Sequence, residues 1–187
     1  MADKIVAVFG GSRVDPASSD YAQAYEMGGL LARAGYVVVN GGYAGTMEAS
    51  ARGAKENGGR AIGVLSGEFG WLAPNAYLDE TFLQRDLFDR IRDMQSRSDA
   101  FIVLKGSMGT LAELALVWNL AKIDAKHRKP IILVGESWRR VLDSWREYLA
   151  VTDDEVNLLQ VVETPSDAIG VVDRTLNPRP SPPSPSP

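Results

Sequence analysis

The chain has 187 residues, 45% hydrophobic and 24% charged, a length and balance that describe one globular domain. Twenty Lys and Arg against twenty-four Asp and Glu leave a net charge of −4, without the cationic surplus that a nucleic-acid backbone demands, and no apolar run is long enough to span a membrane; a soluble cytoplasmic protein is expected. With no cysteine and a single histidine, His127, the sequence excludes disulfides, iron–sulfur clusters, thiolate zinc and His-rich metal sites, leaving only carboxylate-held Mg2+ open.

Lys4 to Phe9 is a β-branched apolar run without polar alternation, as expected of a strand buried on both faces of a parallel sheet, and Gly10-Gly11-Ser12 stops it. Ser18, Ser19 and Asp20 offer an N-cap after a Pro16 turn. Met27, Leu30, Leu31 and Ala34 then recur at helical spacing until Gly35 ends the helix. The unit repeats: strand Tyr36 to Asn40, glycine-rich turn Gly41 to Thr46, helix Met47 to Asn57, stop at Gly58-Gly59, and strand Ala61 to Val64. From Leu65 to Gln84 the pattern fails, and a long loop with Gly67, Gly70, Trp71 and Pro74 is expected to lie over a site as a lid. A helix follows over Leu87 to Ser96. Strands at Ala100 to Leu104, Ile131 to Val134 and Leu159 to Val162 each precede a helix, opening at Thr110, Ser137 and Pro165. Strands alternating with helices predict a single doubly wound α/β domain, Rossmann-like, with a parallel sheet and helices on both faces, over residues 1–176. The Pro/Ser-rich tail from Asn177 has nothing to bury and is expected to be disordered or extended.

Two strand-to-helix junctions share one pattern, Gly42-Tyr-Ala-Gly45-Thr46 and Gly106-Ser107-Met108-Gly109-Thr110. Neither is a Walker A motif, since no Gly-Lys-Ser/Thr is present. The dinucleotide fingerprint fails as well, because Gly10-Gly11-Ser12 does not continue as G-x-G-x-x-G and the second strand ends in Asn40 rather than an acid. What both turns offer is backbone: glycines permit close approach, and the N–H groups of the following helix start suit a phosphomonoester. In an open α/β sheet Gly10 to Arg13, Gly41 to Thr46 and Lys105 to Thr110 would converge on one crevice, with Lys105 adding positive charge. The alternative is that the glycines only make tight turns and close helix packing.

Glu113 stands three residues after Thr110 on a mostly apolar helix. It reads either as a carboxylate beside the phosphate cradle or as the last residue of a capping box Thr110-x-x-Glu113. Arg90 belongs to the series Asp86, Asp89, Arg90, Arg92 and Asp93, whose default is a solvated face.

Taken together these residues resemble the LOG family, the cytokinin-activating phosphoribohydrolases formerly labelled lysine decarboxylases, over residues 4–176. The family pattern P-G-G-x-G-T-x-x-E after a strand beginning S-D-A is matched by Ser98-Asp-Ala-Phe-Ile-Val-Leu-Lys105-Gly-Ser-Met-Gly-Thr-Leu-Ala-Glu113. The family's E-R-K-x-x-M is similar to Asp89 to Met94, so its catalytic arginine falls on Arg90 and its methionine on Met94; Gly11-Ser12 and Gly41 to Met47 match two further glycine motifs. Lys105 replaces the motif's proline and Ser107 its second glycine, while Asp89 and Ile91 replace the residues flanking the arginine.

The resemblance implies hydrolysis of the N-glycosidic bond of a nucleoside 5′-monophosphate, AMP or a cytokinin nucleotide, to free base and ribose 5-phosphate, without cofactor or metal. Glu113 would then stabilise an oxocarbenium-like ribosyl cation or orient water, and Arg90 the departing base or the phosphate. Gly11, Ser12, Gly42, Gly45, Thr46, Met94 and the turn Lys105 to Thr110 would bind substrate. The resemblance also implies a homodimer, with the helix Leu114 to Leu120 and Trp118 available to a partner subunit. The alternative is a carrier of a phosphorylated ligand, because relatives of this fold carry the molybdenum cofactor. The decarboxylase label would need a pyridoxal phosphate lysine, for which only Lys105 is near and no acid for the pyridine nitrogen is identifiable. His127, in a charged loop, reads as a surface residue; Trp138 and Trp145 lie on one side of a helix from Ser137 to Tyr148 and are expected to cover the sheet.

Overall fold

The structure, a computed structural model, describes residues 3–125 and 128–178. Seven parallel strands, β1 (Ile5–Phe9), β2 (Val37–Asn40), β3 (Ala61–Ser66), β4 (Glu80–Gln84), β5 (Ala100–Val103), β6 (Ile131–Val134) and β7 (Leu159–Val162), form one sheet in the order β4-β3-β2-β1-β5-β6-β7. The chain winds outward from β1 to β4, crosses back to place β5 against β1, and winds outward again to β7. The expected doubly wound parallel sheet is present, with one strand more than the sequence pattern indicates. β4 lies inside the segment expected to be a loop. Its residues Glu-Thr-Phe-Leu-Gln are mostly exposed because β4 is an edge strand, so the continuous apolar run of a central strand is absent.

Strand residues alternate between two cores. Val6, Val8, Val38, Ile102, Leu104 and Ile132 face α1 (Ser19–Arg33), α2 (Thr46–Glu56) and α7 (Pro165–Leu176). Ala7, Phe9, Val39, Phe101, Val103 and Leu133 face α3 (Leu87–Arg97), α4 (Met108–Ile123) and α5 (Ser137–Tyr148). Ser18 caps α1 by accepting from the Tyr21 N–H, as its position predicts. Trp138 is buried in the second core; Trp145 packs on its rim and stacks on Trp118 at 5.9 Å, so both do cover that face. A short helix, α6 (Asp153–Val156), precedes β7.

Asn177 is tied down, its amide donating to the Tyr36 hydroxyl (2.8 Å) and its carbonyl accepting from Lys4 Nζ (2.9 Å). Residues 179–187 and His127 lie outside the described residues. Among the described residues no helix is long and apolar enough to cross a membrane.

Candidate functional site

In this topology the chain's direction of winding reverses between β1 and β5, and the loops leaving those strands part at their carboxyl ends. The three glycine segments do meet there. Gly11 N–H donates to the Lys105 carbonyl (3.3 Å), and the Thr46 N–H and hydroxyl both donate to the Gly11 carbonyl (2.9 and 3.1 Å). Gly42 and Gly45 hold φ of +79° and +72°, values that L side chains rarely adopt, and a Cβ on Gly45 would fall 2.4 Å from the Gly11 oxygen. Ser12 is exposed beside this contact.

The third segment opens α4 two residues earlier than Thr110. Ser107 is its N-cap, in extended backbone and without a side-chain capping bond; the first bond of the helix runs from the Leu111 N–H to the Ser107 carbonyl (3.0 Å). The N–H groups of Met108, Gly109 and Thr110 therefore precede the first carbonyl the helix can give them, on a turn whose residues Lys105 to Gly109 are all exposed. The Thr110 hydroxyl is buried without a hydrogen-bond partner among the described residues, pressed on Gly106, where a Cβ would lie 2.0 Å from it. Lys105 is not a free cation: its ammonium is 3.1 Å from Asp20 at the start of α1.

The capping-box reading of Glu113 fails, because Thr110 lies inside the helix rather than at its cap. Glu113 and Arg90 instead form a buried pair, side chains 10% and 6% exposed, with Arg90 Nη1 3.4 Å from Glu113 Oε1. Arg90 is accordingly no member of a solvated face. It crosses the end of the sheet: Nε donates to the Val64 carbonyl on β3 (2.8 Å), Nη2 lies 3.8 Å from the Met47 sulfur, and the guanidinium sits 5.9 Å from the Tyr43 ring centre. Only glycine fits beneath it, since a Cβ on Gly41 would come within 1.6 Å of Nη2. A guanidinium has five N–H donors, and thioether sulfur is a weak acceptor, so donors remain for a ligand.

Burial raises the Glu113 carboxyl to about 7, with Arg90 pulling in the opposite direction. Near neutral pH the group is shared between its acid and its carboxylate, a poise suited to moving a proton.

Met94 is not brought to the crevice. It is fully buried in the second core with Ile91 and Phe9, a packing residue of α3. Conversely, Gly41, Tyr43 and Met47, quoted from the sequence only as part of a glycine motif and given no role of their own, surround Arg90. Asn75, which was not singled out from the sequence, holds their turn in place. A bulky aromatic inside a glycine turn was the available signal for Tyr43; the Pro74-Asn75 turn was the signal for Asn75. Two hollows, of about 220 Å3 beside Phe101 and Lys129 and about 130 Å3 beside Trp118, lie away from these turns.

Fold and contacts together define an open parallel α/β protein in which three glycine segments meet at the switch point beside a buried Arg–Glu pair. The chain belongs to the SLOG cluster4 family, whose model matches residues 3–169. It is similar to a cytokinin riboside 5′-monophosphate phosphoribohydrolase of Mycobacterium tuberculosis, 34% identical over 155 residues, 78% of this chain and 81% of that protein. An uncharacterized protein of Archaeoglobus fulgidus is 32% identical over 130 residues, 70% of this chain and 83% of its own length. Among solved structures, a molybdenum cofactor binding protein of Rippkaea orientalis superposes with a TM-score of 0.75 at 25% identity, covering 95% of this chain and 99% of its own.

Proposed function

We propose that the protein hydrolyses the N-glycosidic bond of a nucleoside 5′-monophosphate, AMP or a cytokinin-type nucleotide, releasing the base and ribose 5-phosphate. The observation that carries this reading is the buried Arg90–Glu113 pair one helical turn behind the uncapped start of α4. The 5′-phosphate binds the N–H groups of Met108 to Thr110, where the helix dipole favours an anion, with Gly11, Ser12, Gly42, Gly45 and Thr46 forming the facing wall. Phosphate affinity at that unreactive end holds the ribose against Glu113. Water adds to C1′ as the C1′–N bond breaks. The Glu113 carboxylate stabilises the ribosyl cation, accepts a proton from the water and passes it to the base. Arg90 reaches Glu113 from the β3 side, away from the phosphate end, which supports giving it the departing base. Lys105 is exposed and tied to Asp20 only by a weak surface pair, so its ammonium can turn to the phosphate and add positive charge there.

A second reading, a carrier that binds a phosphorylated cargo without chemistry, is favoured by the likeness to the molybdenum cofactor binding protein over nearly the whole chain. Base release from a panel of nucleoside 5′-monophosphates, with binding measured in parallel by calorimetry, separates the two. Release of base with ribose 5-phosphate supports the hydrolase; binding without release supports the carrier. A homodimer belongs to the first reading, but the face expected to meet a partner is used within this chain, since Leu114 and Val117 lie in the core and Trp118 stacks on Trp145. That leaves the exposed Met108, Ala112 and Ala115 of α4 for a partner. Light scattering should then return about twice the 20.3 kDa of one chain.

A further inference from the structure

We infer that Tyr43, Phe69 and Trp71 form an aromatic wall that receives the nucleobase, with the exposed indole of Trp71 as its stacking platform. The inference rests on the nucleotide reading above and adds where the base lies and what selects it.

The three rings are consecutive. Tyr43, buried beneath the Arg90 guanidinium, meets Phe69 edge-on at 5.9 Å and 82°, and Phe69 meets Trp71 edge-on at 6.0 Å and 81°. The series runs from the buried ion pair to solvent, where Trp71 is 77% exposed. The segment carrying Phe69 and Trp71 leaves β3, two strands from β1, yet it is folded back against the Gly42–Tyr43 turn and held there. The Asn75 N–H donates to the Gly42 carbonyl (2.9 Å), its side-chain amide donates to the Tyr43 carbonyl (3.0 Å), and its side-chain oxygen accepts from the Tyr77 N–H (3.1 Å). The Tyr43 hydroxyl bridges to Ser66, accepting from its N–H (3.1 Å) and donating to its carbonyl (3.3 Å). The rings are thus fastened to the same glycine turn that lies under Arg90.

Direction follows from the two ends of Arg90. With phosphate at α4 and ribose at Glu113, a base that continues away from the phosphate follows the guanidinium towards β3 and meets this wall. A single exposed aromatic on a surface is ordinary; one that ends a fixed series of rings starting at a buried arginine is placed to offer its face to a planar heterocycle. Stacking on an aromatic side chain tolerates different bases and favours those with the larger π-surface, so purine nucleotides are the expected class.

The test titrates wild-type protein, Trp71→Ala and Trp71→Phe with AMP and with ribose 5-phosphate, which lacks the base, following calorimetry and tryptophan emission. AMP is expected to quench the wild-type emission and ribose 5-phosphate to bind without quenching. Trp71→Ala should lose that quench and bind AMP about 5- to 10-fold more weakly, the scale of one stacked base. Its ribose 5-phosphate affinity should be unchanged, and Trp71→Phe should recover most of the AMP affinity. If AMP binds wild type and Trp71→Ala equally well while ribose 5-phosphate binds both, the aromatic wall is overturned and the nucleotide reading stands. If neither ligand binds wild-type protein, the nucleotide reading falls and takes the wall with it.

Discussion

Glu113 joins two properties that normally exclude each other, deep burial and a charge-bearing side chain. Burial holds its carboxyl at about 7, so an activity that needs the carboxylate rises with pH through that value. Base release from AMP should therefore climb between pH 6 and pH 8. Glu113→Gln should lower turnover by about 10^2 or more while nucleotide binding stays within a few-fold, the scale of one preorganised electrostatic group. A Gln variant as active as the parent would remove the carboxylate from the mechanism. The same poise affects stability. Because the folded-state value lies above the ordinary 4.5, the group's contribution is full below about 4.5 and is lost as pH rises through about 7, a difference of at most about 3 kcal/mol. Thermal melts at pH 5 and pH 8 should differ more for wild type than for Glu113→Gln. From sequence, the pairing of Glu113 with Arg90 was hidden: 23 residues separate them, and each had an innocent local reading, as a cap and as part of a charge run. Met94 misled in the opposite direction, because a methionine aligned with a functional motif is, in this packing, a core residue of α3.

The turn before α4 is the element on which phosphate affinity depends. Gly106 packs so closely on Thr110 that Gly106→Ala must push the first turn of α4 outward. We expect it to weaken ribose 5-phosphate binding by at least tenfold with the sheet intact, read by calorimetry alongside circular dichroism; unchanged affinity would place the anion elsewhere. Central elements were legible because both faces of their strands are covered, which writes continuous apolar runs such as Ile5–Phe9 and Ile131–Val134 into the sequence. β4 was not legible, since an edge strand half in water carries Glu80, Thr81 and Gln84, which look like loop. The segment between β3 and β4 was anticipated to lie over a site, and Asn75 fastens it to the Gly42–Tyr43 turn. That fastening depends on one side chain meeting a backbone 32 residues away, which no local pattern announces.

At the scale of the whole molecule, the winding order does most of the functional work. Two outward-running halves meet at β1 and β5, so three glycine segments far apart in sequence are delivered to one place without any local signal beyond their own composition. The convergence was legible because it follows from the fold class alone; the identity of what surrounds Arg90 was not, because it depends on side chains from α2, α3 and α4 arriving together.

The Arg90–Glu113 contact carries one last consequence, for protein engineering. Two charges withheld from water impose a penalty that their attraction offsets only in part, whereas deleting one partner strands the other. Glu113→Leu alone should cost about 3–5 kcal/mol. Arg90→Met combined with Glu113→Leu should instead melt no lower than the parent, and by calorimetry as much as several degrees higher. The ancestral-style trade between vigour and robustness would then be separable in a single double exchange, yielding an inert, heat-hardened twin of the protein.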